Sequence, residues 1–116
     1  KHFIVNVQLI SSDLPARSKC NQIVDHNGYF ACSRCLMKST RCSPPCSRRT
    51  LYLWSDFIRS APLRRTQEHI NKCVEEIDRS NKISFGVVGI YPLSAILSIP
   101  KQSTLDYFHL VLEVHL

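Results

Sequence analysis

Four cysteines between residues 32 and 46 restrict the folds open to this chain more than any other part of its sequence. Cys32 and Cys35 form a C-x-x-C pair, and Cys42 and Cys46 follow shortly after it. A C-x-x-C turn directs two thiolates at one metal ion while its backbone amides donate to the sulfurs. Because a tetrahedral zinc site needs four such ligands and no other chemistry, the spacing predicts structural Zn²⁺ on these four cysteines.

Disulfides are the alternative explanation for the cysteines. The chain has 6 of them, and an even number is typical of a secreted, disulfide-bonded domain. However, 116 residues that are 44% apolar can bury a modest core without covalent links. The opening KHFIVNVQLISSD has too short an apolar run for a signal peptide, and it begins without Met, so we expect a piece of a longer protein. We therefore favour reduced, metal-binding cysteines over disulfides.

The charge of the chain suggests a polyanionic partner. Its formal net charge is +6, from 15 Lys and Arg against 9 Asp and Glu. Clustered arginines attract nucleic acid, although an ordinary solvated basic surface is the alternative. No run of 18 apolar residues occurs, which predicts no membrane-spanning helix. The clustered arginines flank and follow the cysteines: Arg41, Arg48, Arg49, Arg59, Arg64 and Arg65.

The first acidic residue of interest follows an apolar segment. Residues Phe3–Leu9 alternate in a way that predicts a strand, with burial on both faces. Asp13 comes just after it, and α/β folds place ligand or metal chemistry at such strand ends. Alternatively, Asp13 caps a helix, since Pro15 suits a first helical turn. The two roles are compatible.

The segments on either side of the cysteines carry weaker signals. Ala16–Val24 predicts a short helix that buries Cys20 as a small apolar side chain. A turn should follow at Asp25–Gly28, with Gly28 at positive φ. His26 is either a further zinc ligand or a solvated loop residue. Beyond the cysteines, three apolar residues are expected to anchor the core: Leu51, Leu53 and Trp54.

Two helices are predicted in the second half. Thr66 begins one whose apolar stripe is Ile70, Cys73, Val74 and Ile77, ending near Ser80 and Asn81. Ser103 is a candidate N-cap for the other, so a helix is expected from about Thr104. On that helix Asp106 and His109 share a face. A carboxylate there can orient an imidazole for metal binding or proton transfer, while capping and packing are the alternative roles.

Taken in order, several segments resemble the catalytic region of cut-and-paste DNA transposases of the CACTA/CMC type. The segments are SDLPAR, NGYFACSRC, GVVGIYPLS and LDYFH, together with the basic stretch after TLYLW. The resemblance runs from about Ile10 to Leu112. It implies an RNase H-like fold with a DDE triad that holds divalent metal, usually Mg²⁺. In this family a C-x-x-C zinc element follows the second acidic residue, and a D-x-x-H motif comes later.

Matched by position, Asp13 corresponds to the second acidic residue of the triad, and Cys32 with Cys35 to the C-x-x-C element. Asp106 and His109 match the D-x-x-H motif and join Asp13 as candidate catalytic residues. Cys42 and Cys46 match nothing in the family pattern, and neither a first acidic residue nor a final Glu is identified in this chain. Glu113 comes too soon after the D-x-x-H motif to be that Glu.

The resemblance implies an α/β fold class, a partial RNase H-like core with a zinc-binding, largely helical insertion. We expect core elements at 1–25, a zinc knuckle at 26–50, a helical insertion at 51–102 and the D-x-x-H helix at 103–116. The implied function is DNA cleavage and strand transfer, with structural Zn²⁺ and catalytic Mg²⁺, by a fragment that is inactive alone. DNA, a possible homo-oligomer and a nuclear location follow from the same resemblance.

A second function is compatible with the cysteines and the positive charge. A non-enzymatic zinc-binding module would use the segment from Cys32 to Cys46 and the surrounding arginines to bind nucleic acid or protein. Such a module needs no acidic triad. It does not account for a buried strand before Asp13 or for the D-x-x-H motif.

Overall fold

The computed structural model describes residues 2–46 and 49–105 and combines short strands with three α-helices. Within these ranges, four strands form two separate two-stranded sheets. The chain is thus mixed α/β in the broad sense. In order, the elements are β1 (Ile10–Ser12), α1 (Leu14–Asn21), β2 (Thr40–Arg41), β3 (Thr50–Leu51), a 3₁₀ turn (Trp54–Phe57), α2 (Gln67–Ser80), α3 (Ile99–Gln102) and β4 (Ser103–Leu105).

β1 and β4 pair in parallel, although they lie near opposite ends of the chain. Ile10 is opposite Ser103, and Ser12 is opposite Leu105. The prediction of a helix from about Thr104 is wrong over the described residues, because β1 supplies a backbone edge to which this segment bonds as a strand. The remainder of that predicted helix lies outside the described residues.

The predicted strand Phe3–Leu9 is also wrong, since the strand begins only at Ile10. Phe3, Ile4 and Val5 are 83%, 93% and 80% exposed. Within the described residues, no strand pairs with this segment, and without a partner the alternating pattern has no sheet to join. Its carbonyls at Val7 and Gln8 accept instead from the Gln102 side chain, at 3.3 and 2.9 Å.

α1 begins where the Asp13 side chain caps it. Asp13 Oδ1 accepts from the Ala16 amide at 2.7 Å, and a proline occupies the first turn. The alternative role considered for Asp13, that of an N-cap, is therefore confirmed. The helix starts earlier and ends earlier than predicted, at Gln22 in a left-handed conformation. Ile23, the residue after Gln22, is 4% exposed and belongs to the core.

α2 agrees closely with its prediction. Thr66 Oγ1 accepts from the His69 amide at 3.1 Å, and Asn81 ends the helix at φ 53°. Of the predicted apolar stripe, Ile70 and Cys73 are only 1% and 3% exposed. The core forms where this stripe meets residues from both sides of α2 in the sequence: Ile23, Ile70, Tyr91 and Ile99, with Val24, Val74 and Leu93 packed against them.

β2 and β3 form a narrow antiparallel hairpin outside this core. Thr40 pairs with Leu51 and Arg41 with Thr50, and a Cys42–Cys46 disulfide closes the tip, where the Pro44–Pro45 bond is cis. We call residues 40–46 and 49–51 the cysteine hairpin. Leu51 and Leu53 are 38% and 41% exposed, so their predicted core role is wrong. Leu51 belongs to a two-stranded ribbon, which has too little apolar surface to bury it, and Leu53 lies between this ribbon and the 3₁₀ turn.

Gly28 also differs from its prediction, because its φ is not positive. A Cβ at this position would lie 2.7 Å from Val24 Cγ2, so the close approach of the turn to Val24 is what favours glycine. None of the helices in the described ranges has the length and apolar character to cross a membrane.

Candidate functional site

The ends of β1 and β4 form the first candidate site. Ser12 is the last residue of β1, and it lies opposite Leu105, the last described residue of β4. Asp13 follows β1 directly and is half-buried. One of its oxygens accepts from the Ala16 amide at 2.7 Å, and within the described part of the chain the other oxygen has no hydrogen-bond partner, which suits it to a cation. Asp106 and His109, the other predicted catalytic residues, lie outside the described residues.

Arg17 connects α1 to β4, one of the two strands at this site. Its Nη2 donates to the Ser103 carbonyl at 2.8 Å. Burial lowers the pKa of the Arg17 guanidinium, the nearby Arg34 charge adds to the lowering, and Cys32 partly opposes it. Arg17 thereby holds the helix capped by Asp13 against β4.

The C-x-x-C pair forms the second candidate site. Cys32 and Cys35 are free and half-buried, and the Arg34 amide donates to Cys32 Sγ at 3.4 Å. This is the amide-to-sulfur contact expected of a C-x-x-C turn. Burial is the main cause that raises the pKa of the Cys35 thiol, the Met37 amide opposes it, and a hydrogen bond with Cys32 adds to it. Without a metal, Cys35 therefore favours the protonated form.

A buried arginine, Arg65, holds this loop in place. Its side chain is 2% exposed and donates to the carbonyls of Cys32 at 3.1 Å and of Phe30 and Phe85 at 3.0 Å each. Its own amide donates to the Arg34 carbonyl at 2.8 Å. We call Arg65 with these three side-chain acceptors the arginine clamp. Gly86 is next to it, at φ 79°, and a Cβ there would collide with the Phe30 carbonyl.

Sequence reasoning missed the arginine clamp. It grouped Arg65 with neighbouring arginines as part of a basic surface, and nothing in the local pattern distinguishes it from the exposed Arg64. Burial lowers the pKa of the Arg65 guanidinium, while the thiols of Cys73, Cys32 and Cys35 raise it. The charge is nevertheless retained, because guanidinium stays protonated in proteins.

The four cysteines predicted to share zinc are arranged in two different ways. Cys42 and Cys46 form a disulfide with each other, whereas Cys32 and Cys35 are free. Disulfide sulfurs are not thiolate ligands, so the structure supplies two of the four expected donors. Among residues 2–46 and 49–105, no cluster of three or more His, Cys, Asp or Glu side chains could hold a metal ion. The four-thiolate zinc site remains a prediction.

His26, the alternative zinc ligand, pairs with its neighbour instead. Its Nδ1 lies 2.7 Å from Asp25 Oδ1, and both side chains are exposed. The His26 amide and ring bond to this carboxylate and lower the pKa of Asp25. Cys20, predicted to be buried, is half-buried and free.

A second histidine, which sequence reasoning did not consider, lies beside the arginine clamp. His69 Nδ1 is 3.7 Å from Cys73 Sγ, and its ring meets the Phe85 ring edge-on with centroids 5.3 Å apart. Burial lowers the pKa of His69, and the charges of Arg65 and Lys72 lower it further. The only sequence signal for this contact is the spacing of four residues between His69 and Cys73.

No family model matches this chain, and no curated protein or solved structure matches it either. Any functional assignment must therefore be made from the residues and their geometry.

Proposed function

We propose that this chain is part of the catalytic region of a cut-and-paste DNA transposase of the CACTA/CMC type, which cleaves and joins phosphodiesters. One observation carries this proposal. β1 and β4 pair in parallel, and over the described residues Ser12 is opposite Leu105. The next residue in the sequence is an aspartate in both cases, Asp13 and Asp106. Adjacent parallel strands that are each followed by a carboxylate are suited to sharing a divalent cation.

In this proposal Asp13 and Asp106 hold Mg²⁺, which when bound activates water or a 3′-hydroxyl for in-line attack on a phosphodiester. Asp13 is suited to this role because the Ala16 amide fixes its carboxylate, and the other oxygen has no hydrogen-bond partner among the described residues. Arg17 keeps α1 against β4 through the Ser103 carbonyl. Asp13 is the one residue of the DDE triad identified in this chain, and Asp106 belongs to the D-x-x-H motif, so we expect no DNA nicking by this chain alone.

Cys32 and Cys35 are proposed as two ligands of the structural Zn²⁺. The free thiols, the half-buried loop and the amide-to-sulfur contact support this role. The ligands that complete the site are a separate question, because Cys42 and Cys46 are bonded to each other. Homo-oligomerisation and a nuclear location belong to the same proposal.

Localised oxidative cleavage of the polypeptide tests the metal site at Asp13. Fe²⁺ that occupies a Mg²⁺ site generates hydroxyl radicals with ascorbate and cuts the backbone nearby, and mass spectrometry locates the cuts. We expect cleavage close to residues 13 and 106 that excess Mg²⁺ suppresses. Asp13→Asn should abolish both cuts while keeping α1 capped, because Asn is as good an N-cap as Asp.

Asp56→Asn is the matched control, since Asp56 is an exposed aspartate in the first turn of the 3₁₀ helix. It should leave the cleavage pattern unchanged. A cleavage pattern that is unaffected by Asp13→Asn, or the absence of any cut near residue 13, would disprove the metal site. Reproducible Mg²⁺-dependent DNA nicking that Asp13→Ala abolishes would instead disprove the expectation that the chain is inactive alone.

A non-enzymatic zinc-binding module remains the second candidate. The arginine clamp favours this function. Arg65 holds the C-x-x-C loop through the carbonyls of Phe30, Cys32 and Phe85, so these contacts of the loop do not involve β1 or β4. This function predicts zinc that is lost in Cys32→Ser, together with no metal-dependent cleavage near Asp13. Because both candidates place zinc on Cys32, the iron experiment is the measurement that separates them.

A further inference from the structure

A groove of about 830 Å³ lies beside the N-terminus of α2. Basic side chains from three segments line it. Arg34 comes from the C-x-x-C loop, Arg64 from the segment before α2, and Lys101 from α3. All three are exposed, whereas Arg65 contributes from the buried wall.

The cations of this groove have no anionic partners within the described ranges. The ion pairs formed by the described residues are His26–Asp25, Lys72–Glu68 and Arg79–Glu75. None of them involves a groove residue. No carboxylate is among the described residues that line the groove. Unpaired positive charge confined to a concave surface concentrates anions there.

The first turn of α2 adds to this positive potential. Thr66 and Gln67 line the groove, and the Thr66 side chain caps only the His69 amide. The other first-turn amides have no partner within the helix, and the helix dipole places partial positive charge at this end. Such an end is suited to phosphate oxygens.

Arg65 adds an incompletely satisfied charge to the wall of the groove. Its Nη1 is buried and has no hydrogen-bond partner among the described residues, although Nε and Nη2 are fully used. A buried guanidinium donor without an acceptor is costly. An anion in the groove would supply negative charge to a guanidinium that lines it.

We propose that this groove binds the phosphodiester backbone of a nucleic acid. This inference rests on the proposed function for the choice of DNA as the partner. No aromatic side chain is among the described residues that line the groove, so base stacking does not contribute there.

The test removes three charges from the groove. The triple variant Arg34→Gln, Arg64→Gln and Lys101→Gln keeps the fold, because all three side chains are exposed. Fluorescence anisotropy with a duplex of arbitrary sequence gives Kd at several salt concentrations. We expect Kd to rise at least about tenfold at low salt, and the slope of log K against log salt to fall by roughly 0.9 for each lost phosphate contact.

A charge-matched control separates the groove from net charge. Lys19→Gln, Arg79→Gln and Lys82→Gln remove three exposed charges outside the groove. This control should change Kd by less than about threefold, since only distant, screened charges are lost. A duplex with uncharged methylphosphonate linkages should bind neither the wild type nor the variants.

Equal weakening by the two triple variants would overturn the proposal, and so would tight binding of the uncharged duplex. Absence of DNA binding by the wild type at low salt, or stronger binding of polyglutamate than of DNA, would also overturn it. None of these results affects iron cleavage near Asp13, so failure of the groove is distinguishable from failure of the proposed transposase function.

Discussion

The arginine clamp and the cysteine hairpin connect their residues by opposite means. Arg65 joins carbonyls that are 33, 35 and 20 residues away through hydrogen bonds in a buried site. The Cys42–Cys46 disulfide joins residues 4 apart at an exposed tip. The clamp thus connects the C-x-x-C loop to the rest of the fold, whereas the disulfide restrains a local segment.

This difference predicts that the free energy of unfolding depends more on the clamp's hydrogen bonds than on the covalent disulfide. Breaking the clamp leaves three carbonyls without donors. The hydrogen bonds that join the C-x-x-C loop to the turn at Phe85 are then lost. Breaking the disulfide frees a short stretch that buries little. The larger effect should therefore come from the weaker bonds.

The largest effect is expected from Arg65→Met. It should lower the free energy of unfolding by about 3 kcal/mol or more, because removing a buried, hydrogen-bonded charge leaves its partners unsatisfied. Denaturant unfolding followed by circular dichroism measures the change. Arg65→Lys should fall between the wild type and Arg65→Met, since an ammonium cannot reproduce the forked geometry.

Arg41→Met is the control for this prediction. Arg41 is an exposed arginine of the cysteine hairpin whose guanidinium lies 5.9 Å from the Tyr29 ring centroid. Its replacement should cost about 0.5 kcal/mol or less. If Arg65→Met proved equally mild, the contrast between the clamp and the hairpin would be refuted.

The double variant Cys42→Ser and Cys46→Ser should have a smaller effect, at most about 2 kcal/mol, because the disulfide closes a very short loop. Faster amide hydrogen exchange should be confined to residues 40–51. Cys20→Ser, at a free and half-buried position, is the control. Loss of one bound zinc per chain in reduced Cys42→Ser would instead support the four-cysteine site predicted from the sequence.

The smallest expected effect is a pH dependence of the stability that comes from His69, beside the arginine clamp. The folded state lowers the pKa of His69, so it favours the neutral ring. The resulting stability is complete above the ordinary value of 6.5 and is lost as the pH falls through the lowered pKa. Thermal unfolding between about pH 7.5 and 5 should show this decline, and His69→Gln should reduce it.

His26→Gln is the matched change for His69, because the exposed His26 pairs with Asp25 away from the clamp. It should not reduce the decline, because removing His26 takes away no contact of the arginine clamp. An identical decline in His69→Gln and the wild type would show that other groups cause the acid sensitivity.

Local sequence signals predicted helix ends well where a capping residue is present. Thr66 and Asn81 bound α2 as expected, and Asp13 caps α1. These signals succeed because a cap and an amphipathic stripe depend on residues within a few positions of each other.

Partners distant in sequence account for the errors. The alternation of Phe3–Leu9 does not tell which segment has a strand to pair with, and β1 is instead the short stretch that meets β4. Likewise, the burial of Arg65 depends on carbonyls contributed by two other loops. Of the candidate site residues, sequence reasoning identified Asp13 and the C-x-x-C pair, but not the arginine that positions that pair.

The parallel pairing of β1 with β4 also has a consequence for the order of folding. Thr104 Oγ1 contacts the Ile10 carbonyl 94 residues away, so nearly the whole chain must close into a loop before this sheet can form. Such closure is entropically costly and slow, whereas α2 and the hairpin require only local contacts. The strand end that carries Asp13 should therefore assemble last, after the intervening segments have folded.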